Sequence, residues 1–494
     1  MITLTVAQIA DIVGGELADI TRADAEATLV TGTVEFDSRK ITPGGLFLAL
    51  PGAKTDGHDF AETAVSAGAV AVLAARPVGV PAIVVPPLDV TDATDTSSGA
   101  LEYDTDGSGA AVLAALGRLA QAVAAELTAD GLRIIGVTGS SGKTSTKDLL
   151  AAVLAPLGEV IAPPGSFNNE LGHPWTVLRA TADTDFLILE MSARHPGNIA
   201  ALAAIAPPSI GVVLNVGTAH LGEFGSREII AATKSELPQA VPSSGVVILN
   251  ADDPAVAAMA DKTAARVVRV SRTSGGDVWA GPVSLDELAR PRFTLHAGGD
   301  EVDVALAVHG EHQVSNALAA AAVALECGAS LPQVAAALAT AAPVSARRMQ
   351  VSTRADGVTV INDAYNANPD SMAAGLKALA WMARSGGERR RSWAVLGEMA
   401  ELGEDAITEH DRIGRLVVRL DVSRLIVVGA GRAMSAMHQG AVMEGSWGSE
   451  SVLVPDADTA LALLRAELAP GDVVLVKASN SAGLGVLADA VADA

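Results

Sequence analysis

The residues that most constrain this chain are 132–150, LRIIGVTGSSGKTSTKDLL. The apolar run at 132–137 is typical of a buried parallel strand. A glycine-rich turn ending in Gly-Lys-Thr follows it, and then a helical pattern begins. This order is that of a phosphate-binding loop, in which backbone N–H groups and the helix N-terminus face the anion. The sequence therefore predicts a nucleoside triphosphate site, with Lys143 placed for the β- and γ-phosphates and Thr144 for Mg²⁺.

The loop is shorter than the usual form. The usual pattern has a glycine five residues before Gly142, and here that position is Val137, so Gly139 is the first glycine of a G-x-x-G-K-T motif. The ordinary alternative is a glycine-rich turn with a surface lysine. The strand, loop and helix together favour the phosphate site. The motif does not define what the phosphate is used for.

Composition excludes some classes of partner. The chain has 494 residues and a formal net charge of −23 at pH 7. An acidic surface argues against nucleic acid as the main partner. Phosphate ligands stay possible because local groups bind them. The single cysteine, Cys327, excludes an internal disulfide framework and a cysteine-based metal site.

The N-terminal residues MITLTVAQIADIVGG lack the basic start and apolar block of a signal peptide. We recognise no apolar run of about 18 residues, the length that spans a bilayer. We therefore expect a cytoplasmic protein without a membrane span.

The length and the alternating patterns predict three α/β domains. Residues 1–88 predict a small N-terminal α/β domain. Residues 89–109 are acidic and rich in Ser, Thr and Gly, which is typical of a linker or an exposed insertion. Residues 110–341 alternate strand and helix patterns around the loop and predict a central P-loop-type domain with a mostly parallel sheet. Residues 342–494 predict a C-terminal Rossmann-like α/β domain.

Polar residues follow two predicted strands of the central domain. Glu190 follows the apolar segment 186–189, and His220 comes five residues after Asn215, which ends the next one. Ligands of parallel sheets bind beyond the carboxyl ends of the strands, so Glu190 and His220 are candidate metal ligands. Each has an ordinary alternative, Glu190 as a helix cap and His220 as a hydrogen-bonded loop histidine.

These residues, in this order, resemble the Mur ligase family of ATP-dependent amide-forming enzymes. The family uses the short loop, which accounts for Val137. The resemblance covers nearly the whole chain and rests on Asp37-Ser38-Arg39 with Pro43-Gly44, the loop at 139–145, Asn168-Asn169, Glu190-Met191, Asn215-Val216 with Ala219-His220-Leu221, Asn250-Ala251-Asp252-Asp253, and Gly310-x-His312 with Asn316.

Within the family, two segments resemble the members that add D-alanyl-D-alanine. They are residues 363–372, DAYNANPDSM, and residues 396–403, LGEMAELG. The D-N-P-R pattern of members that add diaminopimelate or lysine is absent. The family's Lys-Gly-Ser-Arg is Lys477-Ala478-Ser479-Asn480 here, so no role is carried over to Asn480.

The resemblance implies an ADP- and phosphate-forming amide ligase of peptidoglycan precursor synthesis. Its substrates would be ATP, UDP-N-acetylmuramoyl-tripeptide and D-alanyl-D-alanine, with two Mg²⁺ as cofactors, and it would act as a monomer. The N-terminal domain would hold the UDP end of the substrate and the central domain ATP. The C-terminal domain would close over both and bind D-alanyl-D-alanine.

The resemblance also implies roles for individual residues. The nucleotide would be bound by Gly139, Ser140, Ser141, Gly142, Lys143, Thr144, Ser145, Asn316, Arg348 and Asp363. The other substrates would be bound by Ser38, Asn168, Asn169, Tyr365, Asn366 and Asn368. The metal would be held by Thr144, Glu190, His220 and a CO₂-derived carbamate on Lys234, and the catalytic residues would be Lys143, Glu190, His220 and Lys234.

Three alternatives stay open. Lys234 could be a solvated helix lysine paired with a nearby glutamate. The chain could be another Mur-type ligase, either a diaminopimelate- or lysine-adding enzyme or a folylpolyglutamate synthase, although residues 365–369, YNANP, weigh against this. It could also be a non-catalytic ATP-binding module, against which the set of Lys143, Glu190 and His220 weighs.

Overall fold

The structure, a computed structural model, describes residues 1–88, 101–217, 221–445 and 450–494. Three α/β domains follow one another along the chain, each with its own main sheet. This confirms the predicted fold class.

The ends of the first helix of the N-terminal domain, Val6–Val13, are set by local sequence. Thr5 and Gln8 form a capping box at its start, and Gly14, at a φ of 63°, ends it. The strands are β1 (Leu4–Thr5), β2 (Glu16–Ala18), β3 (Leu29–Val30), β4 (Val34–Glu35), β5 (Gly45–Leu48), β6 (Ala69–Ala74) and β7 (Ala82–Val84), and the helices are α1 (Val6–Val13), α2 (Arg22–Ala27) and α3 (Ala61–Ser66). Five strands form one sheet in the order β2-β7-β6-β5-β4, and β1 pairs with β3.

The central domain contains the phosphate-binding loop between β8 (Arg133–Thr138) and α5 (Lys143–Leu154). Its other strands are β9 (Val160–Ile161), β10 (Phe186–Glu190), β11 (Ile210–Val213), β12 (Val246–Asn250), β13 (Arg266–Ser271), β14 (Val278–Ala280), β15 (Ser284–Leu285), β16 (Pro291–Ala297) and β17 (Asp300–Ala305). Its other helices are α4 (Ser108–Ala129), α6 (Gly172–Val177), α7 (Asn198–Ile205), α8 (Leu221–Phe224), α9 (Arg227–Lys234), α10 (Glu236–Ala240), α11 (Pro254–Ala257), α12 (Gln313–Glu326) and α13 (Leu331–Thr340).

The strand order of this sheet is β15-β16-β14-β13-β12-β11-β8-β10-β9, with β17 also pairing with β16. The pairs from β9 to β14 are parallel, and those made by β16 are antiparallel. The sheet is therefore mostly parallel, as predicted. Its central strands are buried on both faces, which explains their continuous apolar sequences.

The C-terminal domain has strands β18 (Gln350–Thr353), β19 (Thr359–Asn362), β20 (Ser392–Leu396), β21 (Arg424–Val428), β22 (Ser451–Val454) and β23 (Val473–Lys477). Its helices are α14 (Pro369–Arg384), α15 (Ala406–Arg419), α16 (Arg432–Glu444), α17 (Ala457–Glu467) and α18 (Leu484–Ala492). The strand order is β18-β19-β23-β20-β21-β22, in which β18 and β19 pair antiparallel and the other neighbours pair in parallel. Helices lie on both faces, as the predicted Rossmann-like fold requires.

Helix α4 was not recognised from the sequence. By length and composition it is the one helix of the described residues that could cross a bilayer. However, 61% of its most apolar window is buried in the molecule, where it packs against α1, α6 and α7. It begins at Ser108, so the last residues of the predicted linker 89–109 are helical. Residues 89–100 of that linker lie outside the described residues.

Candidate active site

The carboxyl ends of the parallel strands in the central and C-terminal sheets face a common cavity of about 680 Å³. Most of the residues predicted for nucleotide, substrate or metal binding line it: Ser140, Ser141, Gly142, Lys143, Thr144, Ser145, Asn168, Asn169, Glu190, Asn316, Arg348, Asp363, Tyr365, Asn366 and Asn368. Gly139, Ser38 and Lys234 do not line it, and His220 lies outside the described residues. The predicted nucleotide site is therefore a cleft between two domains.

Two asparagines, Asn215 and Asn316, contact the phosphate-binding loop. The Ser141 backbone N–H donates to Asn215 Oδ1 at 2.9 Å, and Asn215 Nδ2 donates to the Ser141 carbonyl at 3.1 Å. Gly142 has a φ of 84°, and a Cβ there would lie 2.6 Å from Asn316 Oδ1. Only glycine fits this position, because its backbone is left-handed and Asn316 approaches it closely.

Lys143 and Glu190 have opposite charges and lie close enough to affect each other's ionisation. Lys143 Nζ donates to the Gly139 carbonyl at 2.7 Å, so the side chain folds back over its own loop. Burial lowers the pKa of Lys143, an effect that Glu190 opposes. Burial raises the pKa of Glu190, and Lys143, Lys147 and Arg348 oppose that shift. The charges of Lys143, Lys147 and Arg348 thus all act on one buried carboxylate.

A chain of hydrogen bonds connects this carboxylate to the C-terminal domain. Thr144 Oγ1 donates to Glu190 Oε2 at 3.2 Å and lies 2.8 Å from Ser166 Oγ. Arg348 Nη2 donates to the same Ser166 oxygen at 2.8 Å. The Arg348 guanidinium carbon lies 4.2 Å from the centre of the Tyr365 ring. Arg348 therefore contacts side chains from both walls of the cleft.

The Glu190 carboxylate fits a magnesium site. Its Oε1 atom is buried and makes no hydrogen bond with any described residue. An unpaired buried carboxylate oxygen is costly unless a cation binds it. No cluster of three or more His, Cys, Asp or Glu side chains that could hold a metal occurs in the described ranges. A site with one carboxylate and the Thr144 hydroxyl suits Mg²⁺, which takes its other ligands from substrate phosphates and water.

On the C-terminal wall, Asp363 and Lys477 form a buried ion pair. Lys477 Nζ lies 2.6 Å from Asp363 Oδ2 and also donates to the Asn366 carbonyl at 2.9 Å. The Met349 backbone N–H donates to Asp363 Oδ1 at 3.0 Å. Both carboxylate oxygens of Asp363 are thus already bonded, while its side chain still lines the cavity.

Three predicted substrate-binding asparagines also have structural roles. Asn368 caps α14, since its Oδ1 accepts the Ser371 backbone N–H at 2.8 Å. Asn169 Oδ1 accepts the Gly172 backbone N–H at 3.0 Å. Asn168 Nδ2 donates to Glu190 Oε2 at 3.4 Å, so Asn168 also orients the candidate metal ligand.

Lys234 is the last residue of α9 and is buried, with 5% of its surface exposed. Burial and the positive charge of Lys143 together lower its pKa well below the usual lysine value. The solvated-lysine alternative is therefore wrong, because the side chain is not exposed. A lysine with a lowered pKa is neutral in a larger fraction of molecules.

Ser38 lies apart from the cavity, at the start of a short 3₁₀ helix, Ser38–Lys40. Its segment nevertheless reaches the central domain through an aromatic cluster of Phe36, Phe167 and Trp175, with ring centres 4.9 to 6.3 Å apart. Trp175 Nε1 also donates to the Val34 carbonyl at 2.8 Å. Because Phe167 directly precedes Asn168, this cluster connects the N-terminal domain to the wall of the cleft.

The sequence analysis did not identify Ser166 or the role of Lys477. Ser166 lies in PPGSFNN, three residues before Asn169, where glycine and proline indicate a loop but nothing marks one hydroxyl. Lys477 is the last residue of a buried strand, and that position was a usable signal.

Comparisons with known proteins agree along the chain. The family model described as the Mur ligase middle domain matches residues 137–324, the glutamate ligase domain of Mur ligases matches 347–480, and the Mur ligase family catalytic domain matches 32–102. The UDP-N-acetylmuramoyl-tripeptide–D-alanyl-D-alanine ligase of Mycobacterium tuberculosis strain H37Rv is 76% identical, over 99% of this chain and 98% of that protein. The Escherichia coli K12 enzyme of that name is 34% identical, over 98% and 97%.

Solved structures are similar over the same length. MurF from Acinetobacter baumannii superposes with a TM-score of 0.81 at 28% identity, covering 100% of this chain and 99% of that chain. MurF ligase from Thermotoga maritima in complex with ADP gives a TM-score of 0.73 at 27% identity, covering 94% and 97%.

Proposed function

The chain belongs to the Mur ligase family, and we propose that it joins D-alanyl-D-alanine to UDP-N-acetylmuramoyl-tripeptide with cleavage of ATP to ADP and phosphate. The observation that carries this proposal is the cleft between the phosphate-binding loop and the segment from Tyr365 to Asn368. Relatives that carry the name of this activity match the chain over nearly its full length. The reaction builds a peptidoglycan precursor.

The chemistry requires that the carboxylate be activated before the amine attacks. The terminal carboxylate of the tripeptide takes the γ-phosphoryl group of ATP, giving an acyl phosphate and ADP. The amine of D-alanyl-D-alanine then attacks the acyl carbon through a tetrahedral intermediate, phosphate leaves, and the amine loses a proton. Transfer of a phosphoryl group between two anions needs cations around it, which Lys143 and Arg348 supply.

Mg²⁺ would be held by Glu190 and Thr144, and it would neutralise charge on the phosphates. We assign a second Mg²⁺ to His220, which is not among the described residues, and to Lys234. Asn168 and Ser166 orient Glu190 and Thr144 by the hydrogen bonds described above.

We further propose that Lys234 carries a carbamate in the active enzyme. Carbon dioxide adds to a neutral amine, and the lowered pKa of Lys234 makes that form more accessible. The resulting carboxylate could bind a metal ion, which an ammonium group would repel. Lys234→Ala should be nearly inactive and should regain part of its activity with added acetate or formate. Labelled bicarbonate should give a carbamate NMR signal in the wild type that the variant lacks, and its absence from active wild-type enzyme would contradict the carbamate.

The proposed division of labour follows the predicted boundaries. Residues 1–88 hold the UDP end near Ser38, residues 110–341 hold ATP, and residues 342–494 hold D-alanyl-D-alanine. The aromatic cluster of Phe36, Phe167 and Trp175 keeps the first two domains in contact. The chain acts as a monomer in the cytoplasm, where its ATP is available.

Phosphate release tests the function directly. The purified chain is supplied with ATP, Mg²⁺ and UDP-N-acetylmuramoyl-tripeptide, and each candidate amine is added in turn. We expect release only with D-alanyl-D-alanine, and Lys143→Ala should lower it by roughly two to three orders of magnitude. In a second assay, the dipeptide precursor replaces the tripeptide. Phosphate release in that assay with diaminopimelate or lysine, and no release from the tripeptide with D-alanyl-D-alanine, would establish a different Mur-type ligase.

A further inference from the structure

A buried ion pair lies one turn beyond the phosphate-binding loop on α5. Lys147 and Asp148 are both buried, with Lys147 Nζ 2.5 Å from Asp148 Oδ1. Neighbouring residues of a helix do not normally face each other, so a third group must draw these side chains together. A buried ion pair is also weak evidence of stabilisation, because desolvation of both charges offsets their attraction. Stabilisation of the fold therefore does not explain this pair, and we look for another role.

That third group is Ser345. Its hydroxyl accepts a hydrogen bond from Lys147 Nζ at 3.1 Å and donates to Asp148 Oδ1 at 3.1 Å. Its backbone N–H donates to Asp148 Oδ2 at 3.0 Å. Ser345 lies between α13 and β18, in the single connection that joins the central and C-terminal domains. The helix of the phosphate-binding loop is thus bonded directly to the interdomain linker.

Lys147 also bonds a third segment. Its Nζ donates to the Pro163 carbonyl at 3.0 Å, at the start of the loop that carries Ser166. Ser166 is the residue that bonds both Thr144 and Arg348. One ammonium group therefore fixes the helix, the Ser166 loop and the linker relative to one another.

The linker beyond Ser345 leads to Arg348 through an unusual backbone. Arg347 and Met349, on either side of Arg348, have φ values of 60° and 49°. Residues other than glycine keep such a conformation only where surrounding contacts fix it. Ser345 supplies the contact upstream, and the bond from the Met349 N–H to Asp363 supplies the one downstream.

We propose that Lys147, Asp148 and Ser345 form a tether that positions Arg348 for the reaction at the phosphate-binding loop. They are positioning residues, because they act through Arg348 and do not line the main cavity. The proposal rests on the function proposed above, in which Arg348 faces the phosphates.

A double-mutant cycle tests the tether. Ser345→Ala removes the hydroxyl that bonds both charged groups and leaves both charges in place, so it does not change the charge that Lys147 exerts on Glu190. We expect kcat/KM for ATP to fall roughly tenfold, the usual effect of losing a hydrogen bond to a charged group. Thr146→Val is the matched control, since this buried hydroxyl on the same helix makes no hydrogen bond with described residues, and it should stay within about twofold of the wild type.

The decisive comparison is made in an Arg348→Ala background. If Ser345 acts through Arg348, Ser345→Ala should change kcat/KM for ATP there by less than about twofold. Losses that multiply in the double variant would overturn the proposal, as would a Ser345→Ala or Arg348→Ala enzyme with wild-type kinetics. A wild-type chain that fails to release phosphate with D-alanyl-D-alanine would instead refute the proposed function. Unfolding midpoints of all variants separate loss of fold from loss of positioning.

Discussion

His173 should make this protein less stable in mild acid. It lies in α6 and is fully buried, and neither ring nitrogen makes a hydrogen bond with a described residue. Burial lowers its pKa from 6.5 to about 4, and the nearby backbone of Glu190 and Leu202 opposes this shift. The native protein therefore holds His173 neutral throughout the range in which the unfolded chain takes up a proton.

The magnitude follows from proton linkage. Above pH 6.5 the ring is mostly neutral in both the native and the unfolded state, so its titration does not change the free energy of unfolding. As the pH falls from 6.5 towards 4, the unfolded state binds a proton that the native state does not, and the free energy of unfolding decreases. A pH of 5 is 1.5 units below the unfolded pKa of 6.5. At that pH the free energy of unfolding is lower by about 2 kcal/mol. Below pH 4 the native state also binds the proton, and the loss levels off.

Urea unfolding at pH 7 and pH 5 measures this contribution. His173→Leu keeps an apolar group of similar size in the site and removes the titration, so its midpoint should fall less between the two pH values than that of the wild type. Thr176→Val is a matched control on the same helix, because it loses a buried hydroxyl that bonds the Gly172 carbonyl and does not titrate in this range. Equal pH dependence in wild type and His173→Leu would refute the reasoning.

Two further perturbations test the walls of the cleft. Lys477→Met should lower the free energy of unfolding of the C-terminal domain by about 3 kcal/mol in urea denaturation, because it leaves Asp363 charged and buried. Adding Asp363→Asn should restore part of that loss, and an unchanged midpoint in the single variant would contradict this. Gly222→Ala would place a Cβ 2.6 Å from the Gly403 backbone nitrogen, across the contact between the central and C-terminal domains. We expect kcat to fall roughly tenfold with ADP affinity by calorimetry unchanged, whereas Gly275→Ala, with open space around its Cβ, should match the wild type.

The central strands and the loop could be predicted because their signals are local. β8 and β10 are mainly apolar runs that end in polar residues, and the structure places each within one residue of the predicted ranges 132–137 and 186–189. Parallel strands buried on both faces require such runs. Once the strands were known, the position of Glu190 at the edge of the sheet followed from topology alone.

The strands β14 to β17, which are joined by the antiparallel pairs of β16, were missed. β16 and β17 alternate apolar with polar or charged residues, as strands with one face in solvent do, and they contain His296 and several acidic side chains. Charged positions weakened the apolar signal by which the other strands were found. The predicted fold class is still correct, because the additional strands only extend one edge of the parallel sheet.

Asn368 shows how a local signal can have two meanings. Asn-Pro-Asp-Ser is a strong start signal for a helix, and Asn368 does cap α14. The resemblance assigned the same residue to substrate binding, and a side chain that lines the cavity can do both. By contrast, the bonds from Lys147 and Asp148 to Ser345 join residues about two hundred positions apart. No pattern in the sequence predicts such a contact, because the tertiary fold alone creates it.

The charges in the cleft explain how an acidic chain can bind a polyphosphate. Among the described residues, five lysine and arginine side chains line the cavity. Three of them are neutralised by ion pairs with carboxylates: Arg194, Arg272 and Lys477. Lys143 and Arg348 instead bond a backbone carbonyl and a serine hydroxyl, and no ion pair engages either of them in the part of the chain that the structure describes. A phosphate can replace such neutral acceptors without breaking a salt bridge. Binding a phosphate therefore costs less free energy at Lys143 and Arg348 than at the three cations that are held in ion pairs. Both lie beside the short loop, which is where the γ-phosphoryl group must be transferred.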